Sequence, residues 1–213
     1  MSKKIVIVDY QIGNMFSVQR ACAHIGVSSK ISSSIADIDN SDALILPGVG
    51  AFCEAMQNIY QLNLFNPLQE YANSGRPIFG ICLGLQLLFT RSDEFQGCNG
   101  LNLLGGEVRR IKEHPNAKIP HMGWSSLNQP EQVSWSQTPL ENVREKSYFY
   151  FVHSYVAHPE QDKYILSTTK HGASSYCAAI TKDNIFATQF HPEKSGKVGL
   201  KIYREWASIN KLI

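Results

Sequence analysis

At 213 residues, 43% hydrophobic and 18% charged with a formal net charge of +2, the chain has the make-up of one ordinary globular domain. It is long enough to bury roughly 70% of its unfolded surface. That balance excludes a disordered chain and gives no electrostatic case for a nucleic-acid or membrane-surface ligand.

No apolar stretch approaches the roughly 20 residues of a membrane helix, and no secretory leader pattern precedes the first β-like run, so a cytoplasmic location is expected. Cys22, Cys53, Cys82, Cys98 and Cys177 form an odd set without metal-ligand or CxxC spacing. Free thiols are expected, with neither a disulfide framework nor a zinc site.

In chain order, Lys4 to Val8 reads as a buried strand, and Ser17 to Gly26 follows as a helix with Val18, Ala21, Cys22 and Ile25 at helical spacing. The pattern recurs with Ala43 to Leu46, the breaker Pro47-Gly48-Val49-Gly50, and a helix through Ala55, Met56 and Ile59. A third unit has Pro77 to Ile81 as strand and Leu83 to Phe89 as helix. Fully apolar strands alternating with helices predict an α/β fold with a mostly parallel central sheet flanked by helices.

After Gly105 the texture changes to closely spaced β-like runs at Glu107 to Ile111, Tyr148 to Val156, Tyr164 to Thr169, Cys177 to Thr181 and Ile185 to Phe190. This predicts a strand-rich second half, interrupted by an irregular excursion from His114 to Gln137 and closed by a helix from Val198 to Ile209. No repeat divides the chain, and residues 1–213 are expected to form a single domain.

Gly80-Ile81-Cys82-Leu83-Gly84 has the G-x-nucleophile-x-G form of an elbow between strand and helix. The two glycines allow a tight turn, which holds the central residue in a strained conformation and aims its side chain out of the sheet. A thiol at that helix start faces the positive end of the macrodipole. Standing alone, such a cysteine reads equally well as a small buried hydrophobe.

His191-Pro192-Glu193 follows the last strand. In extended backbone, residues two apart project to one side, so His191 and Glu193 can share a site, the carboxylate fixing the imidazole tautomer. An isolated pair of this kind is more often two solvated side chains. Pro47-Gly48-Val49-Gly50 falls at the end of the preceding strand unit, on the edge that carries Cys82, and can supply backbone N–H donors to an oxyanion.

Together, Gly80 to Gln86 and His191-Pro192-Glu193 resemble the triad-type, class I glutamine amidotransferases. Asp9-Tyr10, Gly13-Asn14, Pro47 to Phe52, Pro120 to Trp124, Tyr150 to Tyr155 and Gln189 to Gly196 resemble the branch that forms the glutaminase subunits of imidazole glycerol phosphate synthase. The resemblance implies that Cys82 is the nucleophile, His191 the acid and base, and Glu193 its orienter. It places oxyanion donors at Val49, Gly50 and Leu83, and glutamine binding at Gln86, Glu94, His153, Ser154 and Tyr155.

By the same resemblance no cofactor or metal is needed. The ammonia released from L-glutamine would pass to a separate (β/α)8-barrel cyclase, held as a heterodimer partner through Gln11, Asn14, Met122, Trp124 and Lys194. Leu85 stands where the family usually has methionine, a harmless volume-conserving change, while Gln11 and Ser125 stand where it usually has glycine and asparagine, which leaves the partner's identity open. The alternatives are a paralogue feeding another synthase, such as one amidating a sugar for surface polysaccharide, and a non-catalytic regulatory subunit. Glycines on both sides of Val49 let its peptide planes rotate, so an oxyanion hole that forms only with a liganded partner is expected.

Overall fold

The computed structural model describes residues 3–213. In its first half β1 (Ile5–Val8), α1 (Met15–His24), β2 (Ser29–Ser32), α2 (Ile35–Asp39) and β3 (Ala43–Leu46) succeed one another. Then come α3 (Phe52–Gln61), α4 (Phe65–Asn73), β4 (Ile78–Ile81) and α5 (Leu83–Leu87). The second half contains β5 (Phe89–Ser92), β6 (Cys98–Asn99), β7 (Leu104–Arg110), β8 (His121–Ser126), β9 (Tyr148–His153) and β10 (Tyr155–Pro159). It ends with β11 (Ile165–His171), β12 (Ser174–Lys182), β13 (Ile185–Thr188) and α6 (Gly196–Ile209).

The main sheet has seven strands in the order β11-β12-β13-β4-β3-β1-β2. From β13 to β2 every pairing is parallel, while β11 and β12 are antiparallel at one edge. Its central strands are apolar along their whole length because both faces are covered. Ile5, Ile7, Ile45, Phe79 and Ile81 face one layer with Tyr203 and Trp206 of α6. Val6, Val8, Leu44, Leu46 and Ile78 face the other with Phe52, Ala55, Met56 and Ile59, the buried stripe of α3. A second sheet, β10-β7-β5-β6, and the ribbon β8-β9 complete the strand-rich half.

Several expectations are corrected. Tyr148 to Val156 is not one strand: it breaks at Ser154, and β9 pairs with β8 while β10 pairs with β7. The His114 to Gln137 excursion contains β8, whose alternation is inverted, with Met122 and Trp124 exposed and His121 buried, so it carries no ordinary strand pattern. The third helix stops at Leu87, and Phe89 begins β5. Cys53 and Cys98 are joined in a disulfide (Cα–Cα 5.8 Å), because the fold lays β6 beside α3. Only Cys22, Cys82 and Cys177 are free, and all three are buried.

Among the described glycines, one of the two closest approaches lies under α5. A Cβ on Gly84 would come 1.8 Å from the Leu46 carbonyl oxygen, so that helix can reach the sheet only with glycine there. Replacing Gly84 with alanine is expected to lower stability by about 3 kcal/mol through overpacking. Urea denaturation of Gly84→Ala checks this, and a midpoint equal to that of the parent chain would contradict the packing argument.

Candidate active site

Three neighbouring strands end at the same carboxyl edge. β3 runs into Pro47-Gly48-Val49-Gly50, β4 into Cys82, and β13 into Gln189-Phe190-His191, and the sheet order β13-β4-β3 sets these segments side by side. Cys82 has φ +54°, the strained turn that the flanking glycines predict. Its N–H donates to Thr188 O at 2.7 Å, tying the elbow to β13.

His191 and Glu193 do meet, though not on an extended strand. Pro192–Lys194 is a turn of 3-10 helix, and within it His191 Nδ1 lies 2.7 Å from Glu193 Oε1. Because the carboxylate accepts, Nδ1 carries a proton, and Nε2 is buried without a hydrogen-bond partner. Burial opposes charge on this ring, but the adjacent Cys82 sulfur and Glu193 outweigh it and raise the imidazole's pKa. Ser195 braces the turn, donating to His191 O at 2.6 Å and accepting the Tyr150 N–H at 3.0 Å.

Beside Cys82 opens a cleft of about 290 Å³ lined by Val49, Gly50, Leu83, Gln86, Glu94, Pro120, Val152, His153, Ser154 and Tyr155. Every expected oxyanion and substrate residue is on that wall. Gln86 is buried, its amide nitrogen donating to Tyr155 O at 2.8 Å and Gln189 Oε1 at 3.1 Å. Glu94 accepts the Phe52 N–H at the start of α3, and burial raises its carboxyl pKa.

The expected oxyanion donors are not both free. The Leu83 N–H points at Gly48 O, 3.4 Å away, so the carbonyl of the Gly48–Val49 peptide stands where a developing anion would have to sit. Tyr10 holds the preceding residue, its hydroxyl donating to Pro47 O. The β1–α1 loop rests directly on this turn: a Cβ on Gly13 would lie 3.2 Å from Gly48 Cα, and one on Gly50 would lie 3.0 Å from Ile12 Cγ2.

Among the expected partner residues, Met122 and Trp124 are exposed on β8, and Gln11 is exposed on the β1–α1 loop. Trp124 packs edge-on against Tyr150, with Lys194 over the same ring, so those three side chains share one patch. Asn14 is exposed and caps α1, accepting the Ser17 N–H at 3.3 Å.

The family model for class I glutamine amidotransferases matches residues 6–206. The chain belongs to that family. It is 43% identical to imidazole glycerol phosphate synthase subunit HisH of Trichodesmium erythraeum (strain IMS101), across 96% of this chain and 94% of that one. It is 46% identical to the HisH subunit of Lactococcus lactis subsp. lactis (strain IL1403), across 95% and 96%. The structure of PurLQS from Thermotoga maritima shares the fold, with TM-score 0.72 and 19% identity over 98% of this chain and 99% of that one.

Some members of this amidotransferase site carry no signal in spacing. Gln189 reaches Cys82 Sγ with its amide nitrogen at 3.7 Å, yet in the sequence it is one polar residue ending an apolar strand. His121 and Tyr176 lie behind the cleft against His153, joined only by tertiary pairing.

Burial, with the nearby His121 ring adding to it, depresses the pKa of His153 to about 3. The folded ring is therefore neutral, so its contribution to stability is present above the unfolded value near 6.5 and is lost as pH falls from there toward about 3. Stability should fall by about 1 kcal/mol per pH unit below pH 6.5 on this account. Urea denaturation from pH 7 to 4.5 checks it, the expected outcome being a shallower pH dependence in His153→Asn than in the parent chain.

Proposed function

We propose that this chain is the glutaminase subunit of an imidazole glycerol phosphate synthase. Residues 1–213 would act as one domain that hydrolyses L-glutamine and delivers ammonia to a cyclase partner in the cytoplasm. The observation that carries the chemistry is the elbow thiol of Cys82 beside the unpartnered Nε2 of a buried, carboxylate-held imidazole. The partner rests on the relatives, which are HisH subunits of the synthase at 43% and 46% identity. No helix among the described residues is long and apolar enough to cross a membrane.

In this reading the thiol proton of Cys82 passes to His191 Nε2 as the sulfur attacks the side-chain amide carbon of glutamine, and the imidazolium hands that proton to the nitrogen that departs as ammonia. A γ-glutamyl thioester remains. Water, deprotonated by the same ring, then releases glutamate and restores the thiol. Glu193 holds the tautomer and stabilises the imidazolium. Gln86, Glu94 and the His153-Ser154-Tyr155 segment hold the amino-acid end of the substrate. The exposed Trp124, Met122, Gln11 and Asn14, with Lys194, face the cyclase. In the reducing cytoplasm Cys53 and Cys98 would be held as thiols.

The Gly48 carbonyl explains why such an enzyme would idle alone. Rotating the single peptide Gly48–Val49 withdraws that oxygen from the Leu83 N–H and turns the Val49 N–H toward the anion, so one movement supplies both donors. Gly48 has no side chain to resist the change in its ψ. The β1–α1 loop, lying on the turn and facing the partner, is placed to drive the rotation.

Replacing Cys82 with alanine should abolish ammonia release from glutamine while leaving synthesis from free ammonium intact in the reconstituted complex. Glutamine-dependent activity at the parent rate would remove Cys82 from the mechanism. For the conditional hole, steady-state glutaminase rates of the isolated chain and of the complex with the cyclase's nucleotide ligand should differ by roughly 10² or more, the value of one oxyanion donor. Equal rates would show that the Gly48–Val49 peptide needs no partner to turn.

A further inference from the structure

Behind the cleft, four side chains from three strands form a hydrogen-bond chain whose direction is fixed at one end. His153 Nδ1 lies 2.9 Å from Tyr155 O. A carbonyl can only accept, so Nδ1 bears the proton and, the ring being neutral, His153 Nε2 must accept. Tyr176 Oη is 3.2 Å from that nitrogen and therefore donates to it. The phenol oxygen then accepts from His121 Nδ1. His121 Nε2, left without a proton, accepts from Ser125 Oγ at 2.8 Å.

The same carbonyl orients a second branch. Tyr155 O accepts one proton of the Gln86 amide at 2.8 Å, and the other goes to Gln189 Oε1 at 3.1 Å. This turns the Gln189 amide nitrogen toward Cys82 Sγ at 3.7 Å. Proton order thus runs unbroken from the half-buried Ser125 on β8 into the pocket wall, and from that wall to the sulfur. His171, stacked on the His121 ring with centroids 4.1 Å apart, gives its own Nε2 proton to Lys118 O at 2.8 Å and stands outside the chain.

We propose that Tyr176 is a positioning residue for glutamine binding, its hydroxyl locking His153 so that the Val152 to Tyr155 wall and Gln86 keep one arrangement. The proposal rests on the glutaminase reading and adds a residue to it. Were the phenol oxygen absent, the bare His153 Nε2 and the His121 N–H would be left without their common partner. The His153 ring would keep the tautomer that the Tyr155 carbonyl sets but lose the contact on its Nε2 side, so one of the two donors to that carbonyl would be anchored by a single hydrogen bond. Both rings are held neutral by burial, with His121 pushed down to about 4, so neither supplies the missing proton itself.

The test is Tyr176→Phe in the complex with the cyclase and its nucleotide ligand, where glutamine KM and kcat are separated. The expected result is a KM raised about fivefold, the size of one lost neutral hydrogen bond, with kcat within about twofold. Ser125→Ala, which removes the outermost donor without touching the core, should shift KM the same way by a smaller factor, and Ser125→Asn should restore it. Ser125→Ala also serves if the Tyr176 variant does not fold. Unchanged KM in every variant that folds, whatever their melting temperatures, overturns the positioning role. A parent complex that releases no ammonia from glutamine overturns the glutaminase reading, and this proposal with it.

Discussion

The contact between Gly84 and the Leu46 carbonyl sets the geometry of everything around it. With no side chain at position 84, the first turn of α5 drops onto β3, and the chain leaving β4 must reverse within one residue. That residue is Cys82, and the reversal places it at φ +54°. The same drop brings the Leu83 N–H, the backbone donor of the elbow, within 3.4 Å of Gly48 O. One close approach between helix and sheet thus fixes the thiol's exit from the sheet and the amide that would receive an oxyanion. It also decides which carbonyl obstructs that amide.

The obstruction is maintained from outside the cleft. Tyr10 grips Pro47 O, and Gly13 and Ile12 crowd Gly48 and Gly50, so the turn cannot move without the β1–α1 loop. That loop is pinned at its far end by the Asn14 cap on α1 and at its near end by Asn58, which donates to Tyr10 O at 3.1 Å. A surface that bears on the exposed Gln11 therefore has short mechanical access to the donors. This follows from packing alone, since cores respond to a displaced element by switching between arrangements more readily than by yielding gradually.

How much of this is legible in sequence follows the range of the interactions. The apolar runs of β1, β3 and β4 show themselves because burial on both faces leaves a continuous hydrophobic signature. The elbow and the His191-Pro192-Glu193 turn show themselves because their geometry is local, even though the backbone between His191 and Glu193 is a 3-10 turn in place of a strand. Edge strand β2, Ser-Lys-Ile-Ser, buries little and leaves no pattern. Gln189, Tyr176 and the Cys53–Cys98 bond are invisible for a different reason. Each depends on pairing segments far apart in the chain, and no residue pattern encodes such a pairing before the sheet order is known.

Of the six buried side-chain polar atoms without a partner among the described residues, two belong to the His191–Glu193 pair. Glu193 Oε2 and His191 Nε2 both lie buried without partners, at the two ends of a His191–Glu193 hydrogen bond whose side chains are almost fully desolvated. Each unmet group costs on the order of 1–3 kcal/mol, and apolar residues of equal volume would remove that cost. The His121-Tyr176-His153 chain nearby shows that this region of the protein can satisfy every ring nitrogen it buries. The unpartnered Nε2 beside the Cys82 thiol is the open contact that the acid–base role proposed for His191 would use.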